Sequence, residues 1–283
     1  MYSLMVIMSS TQKTGYMIGC GRTMEALHYP LVMVHGIARR DTDKYIHPWG
    51  RIPEFLQEIG VKPFFGNTDA WGGIESNAQL LKATIDKVLH TTNSEMVNIL
   101  AHSKGGIDSR YCIWRYDYGD RVASLTTIST PHHGSEIADF LFHTMGSHTE
   151  AARKILIDFG RLFGDVHPDI YNVNQQLTTG QMKAFNETVG MDHRVLYQVM
   201  YTTMNKPTDD VTFFHSYNYL KKVSGDNDGL VSERSARWGN NITKIPGALS
   251  HEQIIDHGIT KDLGIDTLYI YLDIINELIE KGF

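Results

Sequence analysis

Cysteine is scarce: Cys20 and Cys112 are the only two in 283 residues, so no disulfide framework can staple this chain. Two free thiols are the expectation, a usage that suits a reducing compartment. Proline is sparse at 8 residues, and the 25 glycines follow no period, which excludes collagen-like and low-complexity classes. No apolar run approaches the ~18 residues that a membrane-spanning helix needs. Basic residues are outnumbered, 26 Lys plus Arg against 32 Asp plus Glu, for a net charge of −6. The densest basic clusters, Arg39-Arg40 and Lys221-Lys222, are only pairs. A protein that tracks a phosphate backbone needs a basic face, so no nucleic-acid partner is expected. Near the start, Leu4-Met5-Val6-Ile7-Met8 is apolar but short, with no basic residue ahead of it and a polar stretch behind, a poor secretory signal. Met17-Ile18-Gly19-Cys20 has the outline of a lipoprotein cleavage box without its apolar segment. Residues 1–28 therefore read as an exposed extension.

What the chain does have is apolar substance, 42% of its residues. At this length it can bury roughly three quarters of its unfolded surface without staples. Leu31-Val32-Met33-Val34 and Val97-Asn98-Ile99-Leu100 are short buried-type strands, and Val122 to Ile128, Val195 to Tyr201 and Ile242 to Ile245 are others. Val61 to Phe65 is weaker, because Pro63 confines it to an edge or a strand end. Leu80, Leu81, Ile85, Val88 and Leu89 recur at helical spacing, as do Ile265, Leu268, Leu272, Ile275 and Ile279 near the C-terminus. Strands alternating with amphipathic helices predict an α/β fold: one mostly parallel sheet covered by helices on both faces.

Between one of these strands and a helix running to Tyr116 lies Ala101-His102-Ser103-Lys104-Gly105. A serine in a sharp strand-to-helix turn points its hydroxyl outward, and small residues two positions away on either side keep the turn from colliding with neighbouring backbone. The helix that follows offers N–H groups and a positive dipole end to a developing oxyanion. A serine hydroxyl reacts only when a base takes its proton, so a carboxylate and a histidine should follow in that order. Asp226 and Asp228, in Gly225-Asp226-Asn227-Asp228-Gly229, compete for the acid. Fourteen histidines compete for the base. His193 and His215 precede the acid and are rejected by order, His132 and His133 are weak candidates, and His102 reads as structural. His251 lies on a loop; its rival His257 falls six residues on, in a predicted helix.

These motifs together resemble the bacterial triacylglycerol lipase family of the α/β-hydrolase fold. Tyr29-Pro30-Leu31-Val32-Met33-Val34-His35-Gly36 is similar to its first strand and oxyanion loop, and Val97 through Gly106, with Arg110-Tyr111 beyond, to its nucleophile elbow. Val122 to Ile128 with Thr130-Pro131-His132-His133-Gly134 resembles the next strand and loop, and Asn227-Asp228-Gly229-Leu230-Val231 the acid segment. The similarity runs from Tyr29 to the C-terminus, making residues 29–283 one hydrolase domain with a helical lid inserted at about 135–190. The resemblance implies that Ser103 is the nucleophile, His251 the base and acid, and Asp228 the group that orients the imidazole. It implies an oxyanion hole made by the backbone N–H groups of Ile37 and Lys104. Because these are main-chain groups, Lys104→Ala is expected to leave much of the activity. Residues 151–163 carry an apolar stripe, Ala151, Ala152, Ile155, Leu156, Phe159, Leu162 and Phe163, that would suit a lid closing over an apolar cleft.

The same resemblance implies a lipid ester substrate cleaved through an acyl-enzyme, with a carboxylesterase for short soluble esters as the alternative and a non-catalytic binding module disfavoured because all three triad residue types are present. No metal is expected at the chemical site and no cofactor is required. Relatives often hold a structural calcium through an acid two positions after the histidine and an Asp upstream of the acid; here that first position is Gln253, which leaves Asp209 and Asp256 as the carboxylates available. A zinc-carrying insertion between Trp49 and Trp71 is not seen. The family resemblance points towards secretion, whereas the start of the chain and its cysteines point inward.

Overall fold

A computed structural model describes residues 26–41, 47–144, 169–258 and 266–283. Six strands, β1 (Leu31–Val34), β2 (Pro63–Phe65), β3 (Val97–His102), β4 (Val122–Ile128), β5 (Leu196–Tyr201) and β6 (Ile242–Lys244), form one sheet in the order β2-β1-β3-β4-β5-β6. Every pairing is parallel. Pro63 opens the edge strand β2, where its missing N–H leaves no central ladder bond unmade.

Among the described residues the helices are α1 (Ile52–Glu58), α2 (Ile74–Thr92), α3 (Lys104–Tyr116), α4 (Glu136–Thr144), α5 (Ile170–Gln176), α6 (Thr179–Thr188), α7 (Phe214–Val223), α8 (Glu233–Ala236) and α9 (Thr267–Glu280). They divide between two apolar layers because alternate strand residues face opposite ways. Leu31, Met33 and Leu100 pack on one side with Ile52 and Leu56 of α1 and Tyr271, Ile275 and Leu278 of α9. Val32, Val34 and Ile99 pack on the other with Leu81 and Ile85 of α2 and Cys112 and Ile113 of α3. Burial raises the pKa of the Cys112 thiol and leaves it unreactive. Cys20 lies outside the described residues, as do 1–25 generally; the first described residues are anchored, His28 N–H donating to the Phe283 carbonyl at 3.0 Å.

The sheet order reverses between β1 and β3, since the chain leaves β1 for the edge and returns on its other side. Loops leaving those two strands in opposite directions open a crevice at their C-terminal ends, the place where open parallel sheets bind ligands. His35-Gly36 and Ser103 stand there.

The apolar stripe of 151–163 lies outside the described residues; of the 135–190 segment, α4, α5 and α6 are described. The helix expected around His257 does not form. Between His251 and Gly258 the chain forms a single 3-10 turn, Gln253–Ile255, which stops where Asp256 (φ 66°) and Gly258 (φ 88°) enter left-handed backbone, placing His257 in a loop.

Candidate active site

Ser103 joins β3 to α3 with φ 53° and ψ −130°, a conformation a side-chain-bearing residue rarely adopts. Such backbone costs about 1–3 kcal/mol and must be held by its surroundings. The Ser103 N–H donates to the Ile128 carbonyl at 2.9 Å, which fixes the turn to β4. A Cβ on Gly105 would stand 2.5 Å from the carbonyl oxygens of both Val34 and His35, and one on Gly36 would stand 2.8 Å from Ser103 Cβ. The elbow thus presses directly against the end of β1, and only glycine fits on either side of the contact. The hydroxyl-bearing residue is 7% exposed, at the floor of the crevice.

The acid and the base meet across the other wall. His251 Nδ1 lies 2.9 Å from Asp228 Oδ2, with both side chains almost fully buried. Asp228 Oδ1 accepts from the N–H groups of Leu230 (3.0 Å) and Val231 (2.7 Å), and His251 N–H donates to the Asp228 carbonyl at 2.8 Å. The carboxylate is therefore aimed before the imidazole arrives. Burial opposes charge on the His251 ring, but the Asp228 charge and hydrogen bond, with Glu252, outweigh it and raise the pKa above 6.5. With Nδ1–H facing Asp228, Nε2 of the neutral ring is left as an acceptor.

His102 connects this pair to the serine that follows it in sequence. Its ring centroid is 4.5 Å from that of His251, and its Nε2–H donates to the His251 carbonyl at 3.1 Å. Burial, reinforced by the charge of His251, lowers its pKa well below 6.5, so it acts as a neutral strut. The structure thus joins His251 to Asp228 and sets His102, the residue before Ser103, against the His251 ring.

The rivals fall elsewhere. Asp226 is an exposed turn residue paired with Lys221 at 2.5 Å. His257 Nε2–H donates to the Pro48 carbonyl. His132 is buried, stacked on Trp238 and bonded to Thr127 Oγ1, and burial with the nearby Arg110 charge lowers its pKa well below 6.5. His133 Nε2–H donates to the Arg237 carbonyl, and the His193 side chain is 95% exposed. Ile37 follows Gly36 in the turn after β1 and packs against Ala138, Val173 and Leu177. Lys104 is the first residue of α3, so its N–H has no acceptor within the helix.

The Lys104 side chain is tied into the protein as firmly as its main chain. Its ammonium is buried and donates to both oxygens of Asp108, at 2.6 and 2.9 Å, while Asn77 Nδ2 donates to the same carboxylate at 3.0 Å. Burial raises the Asp108 pKa against the pull of Lys104. The i,i+4 spacing of a Lys and an Asp was the available signal, but such spacing usually marks a solvated helix face. The expectation that Lys104→Ala would be mild therefore does not extend to stability.

A calcium site does not fit the described donors. Among the described residues no three His, Cys, Asp or Glu side chains gather where a metal could sit. Asp256 is taken by Arg51, whose Nη2 and Nε donate at 2.5 and 2.8 Å, and by Thr267. Asp209 accepts from the N–H groups of Asn205 and Lys206. At position 253 a carboxamide stands where a hard cation would prefer a carboxylate.

No family model matches the chain. Among individual proteins it is 28% identical to a triacylglycerol lipase of Pseudarthrobacter phenanthrenivorans, over 78% of this chain and 86% of that one. It is 30% identical to triacylglycerol lipase 2 of Saccharomyces cerevisiae, over 84% of this chain and 75% of the relative. In solved structures, its fold is similar to that of a Staphylococcus hyicus lipase, with TM-score 0.69, 16% identity, and 90% and 97% of the two chains covered.

Proposed function

The chain belongs to the triacylglycerol lipase family and is a carboxylic ester hydrolase of the α/β-hydrolase fold, and from that premise we propose that Ser103, His251 and Asp228 cleave the ester bonds of lipids through an acyl-enzyme. The observation that carries this reading is the buried Asp228–His251 pair, held 2.9 Å apart, with the His251 ring against His102, the residue before a strained serine at the sheet's switch point. In the proposed cycle His251 Nε2 takes the Ser103 proton as Oγ attacks the ester carbonyl. The negative oxygen of the tetrahedral adduct lies against the N–H groups of Ile37 and Lys104, which flank the serine on the two turns that Gly36 and Gly105 bring together. The adduct collapses, the C–O bond to the alcohol breaks, and His251 returns its proton to the leaving oxygen. Water, activated by the same imidazole, then releases the fatty acid and restores Ser103. No metal and no cofactor is needed for any of these steps.

Support for work at a lipid–water interface comes from the surface. Phe140 and Leu141 on α4, and Phe214 and Val223 on α7, are exposed, and the two helices meet through Phe140 and Tyr219, 5.2 Å apart. Glu136 at the start of α4 accepts from Ser232 and Ser224, which ties this apolar area to the loop carrying Asp228.

The test is a fluorophosphonate probe with mass mapping, alongside hydrolysis of a triglyceride emulsion. Wild type should label at Ser103 and clear the emulsion, and Ser103→Ala should do neither. Near-wild-type hydrolysis by Ser103→Ala would end the proposal. Activity that does not jump as a substrate passes its solubility limit would remove the interfacial part and favour soluble esters.

A further inference from the structure

His251 sits on a turn that must stay still while its ring exchanges protons, and the bonds that hold this turn are local and specific. Gln253 is 3% exposed. Its Oε1 accepts from the Ser250 N–H at 2.9 Å, and its Nε2 donates to the Asp209 carbonyl at 3.0 Å. Its backbone N–H donates to Ser250 Oγ at 3.1 Å, and that hydroxyl donates onward to Asp210 Oδ2 at 2.6 Å. One carboxamide and one hydroxyl thus fasten residues 250 and 253, on either side of His251, to the 209–210 segment.

We propose that Gln253 is a positioning residue for His251, its carboxamide making directly, and without a cation, the link between the histidine turn and the 209–210 segment. The donor set argues against a metal in this role. An amide N–H, not an oxygen, faces the Asp209 carbonyl, and the nearby carboxylates are engaged. Asp209 accepts backbone N–H groups, Asp210 accepts from Ser250 and Thr212, and Glu252 is paired with Arg39. A cavity of about 630 Å³ opens beside these residues, so the link is reachable from solvent and open to test by chelators and added ions. Holding the turn orients Nε2 without touching substrate, so its loss should lower turnover and leave substrate binding alone.

The inference rests on His251 being the base, and the experiment separates the two. Active sites are counted by fluorophosphonate titration, and kcat per site is measured on a soluble p-nitrophenyl ester. Wild type dialysed exhaustively against EDTA should keep its kcat per site within twofold. Gln253→Ala should lose at least tenfold in kcat per site with KM within twofold, and added calcium should not restore it. A tenfold loss of wild-type kcat on chelation, reversed by calcium, overturns the cation-free link. A Gln253→Ala enzyme with fewer active sites but wild-type kcat per site shows a role in folding only and also overturns it. If Gln253→Ala yields no folded protein, Ser250→Ala removes the hydroxyl that accepts from Gln253 N–H and donates to Asp210, and leaves the carboxamide in place; it should show the same drop, and unchanged turnover refutes the proposal. Labelling of Ser103→Ala by the probe would instead sink the triad reading itself.

Discussion

In the proposed cycle Ser103, His251 and Asp228 carry different parts of one proton transfer, and each predicts a different failure. Asp228→Asn would keep the turn geometry yet offer an amide to Nδ1, favouring the wrong tautomer; kcat should fall by roughly 10³–10⁴ with KM little changed. Activity needs the neutral imidazole, and the Asp228 charge raises the His251 pKa above 6.5. In wild type the acid limb of kcat/KM on a soluble ester should therefore have its midpoint above pH 6.5, and a midpoint below that value would contradict the pairing. Lys104 is a separate matter, because its backbone N–H is proposed for the oxyanion while its ammonium neutralises Asp108. Lys104→Ala leaves a buried carboxylate unpaired, which typically costs about 3–5 kcal/mol. Chemical denaturation should show that loss, and Lys104→Met with Asp108→Leu should recover most of it.

The elements place these residues by close contact. The β3–α3 elbow works because α3 begins where β1 ends, with Gly105 against the carbonyls of Val34 and His35. Gly105→Ala forces a Cβ into two backbone oxygens that cannot swing aside, so the helix must withdraw and carry Lys104 N–H with it. Folding stability and kcat should fall together, by several kcal/mol and at least tenfold. A Gly105→Ala enzyme with native melting temperature and turnover would mean the elbow tolerates a looser seat. Helix α2 tells the opposite story: Leu81 and Ile85 are fully buried against the sheet and remote from the chemistry. Leu81→Ala should cost about 2–5 kcal/mol in stability and leave kcat per active site unchanged.

For the whole molecule, the buried histidines set how stability follows pH. His102 and His132 have pKa values held well below 6.5, so near that pH the unfolded chain takes up protons that the folded protein refuses. Their contribution is present above pH 6.5 and lost as the pH falls below it. His251 has the opposite sign: its raised pKa stabilises below 6.5, and that gain is lost as the pH rises through its folded value. With His47 also lowered by burial, three depressed imidazoles against one raised predict a melting temperature that drops between pH 7 and pH 5. His132→Gln should flatten that drop, and an unchanged slope would remove His132 from the account.

Much of this protein is written locally. The apolar run Leu31–Val34 ahead of His35-Gly36 specifies β1, the mostly apolar Val97–Leu100 opens β3, which continues to His102, and β4 spans Val122–Ile128 as its pattern requires. The elbow, too, was legible, because its small residues answer a steric demand made within five positions. Helical periodicity failed after His251, where a left-handed Asp256 held by Arg51, some 200 positions away, ends the turn at once. No local pattern shows that Lys104 would be buried with Asp108, or that Gln253 would reach Asp209. Nor could spacing choose His251 over His257 or Asp228 over Asp226 on physical grounds alone. Sequence determined which side chains could react and the strands that bear them, since those depend on neighbours along the chain. Tertiary structure decided which of them meet and which charges lose their water, since burial and approach are properties of distant segments packed together.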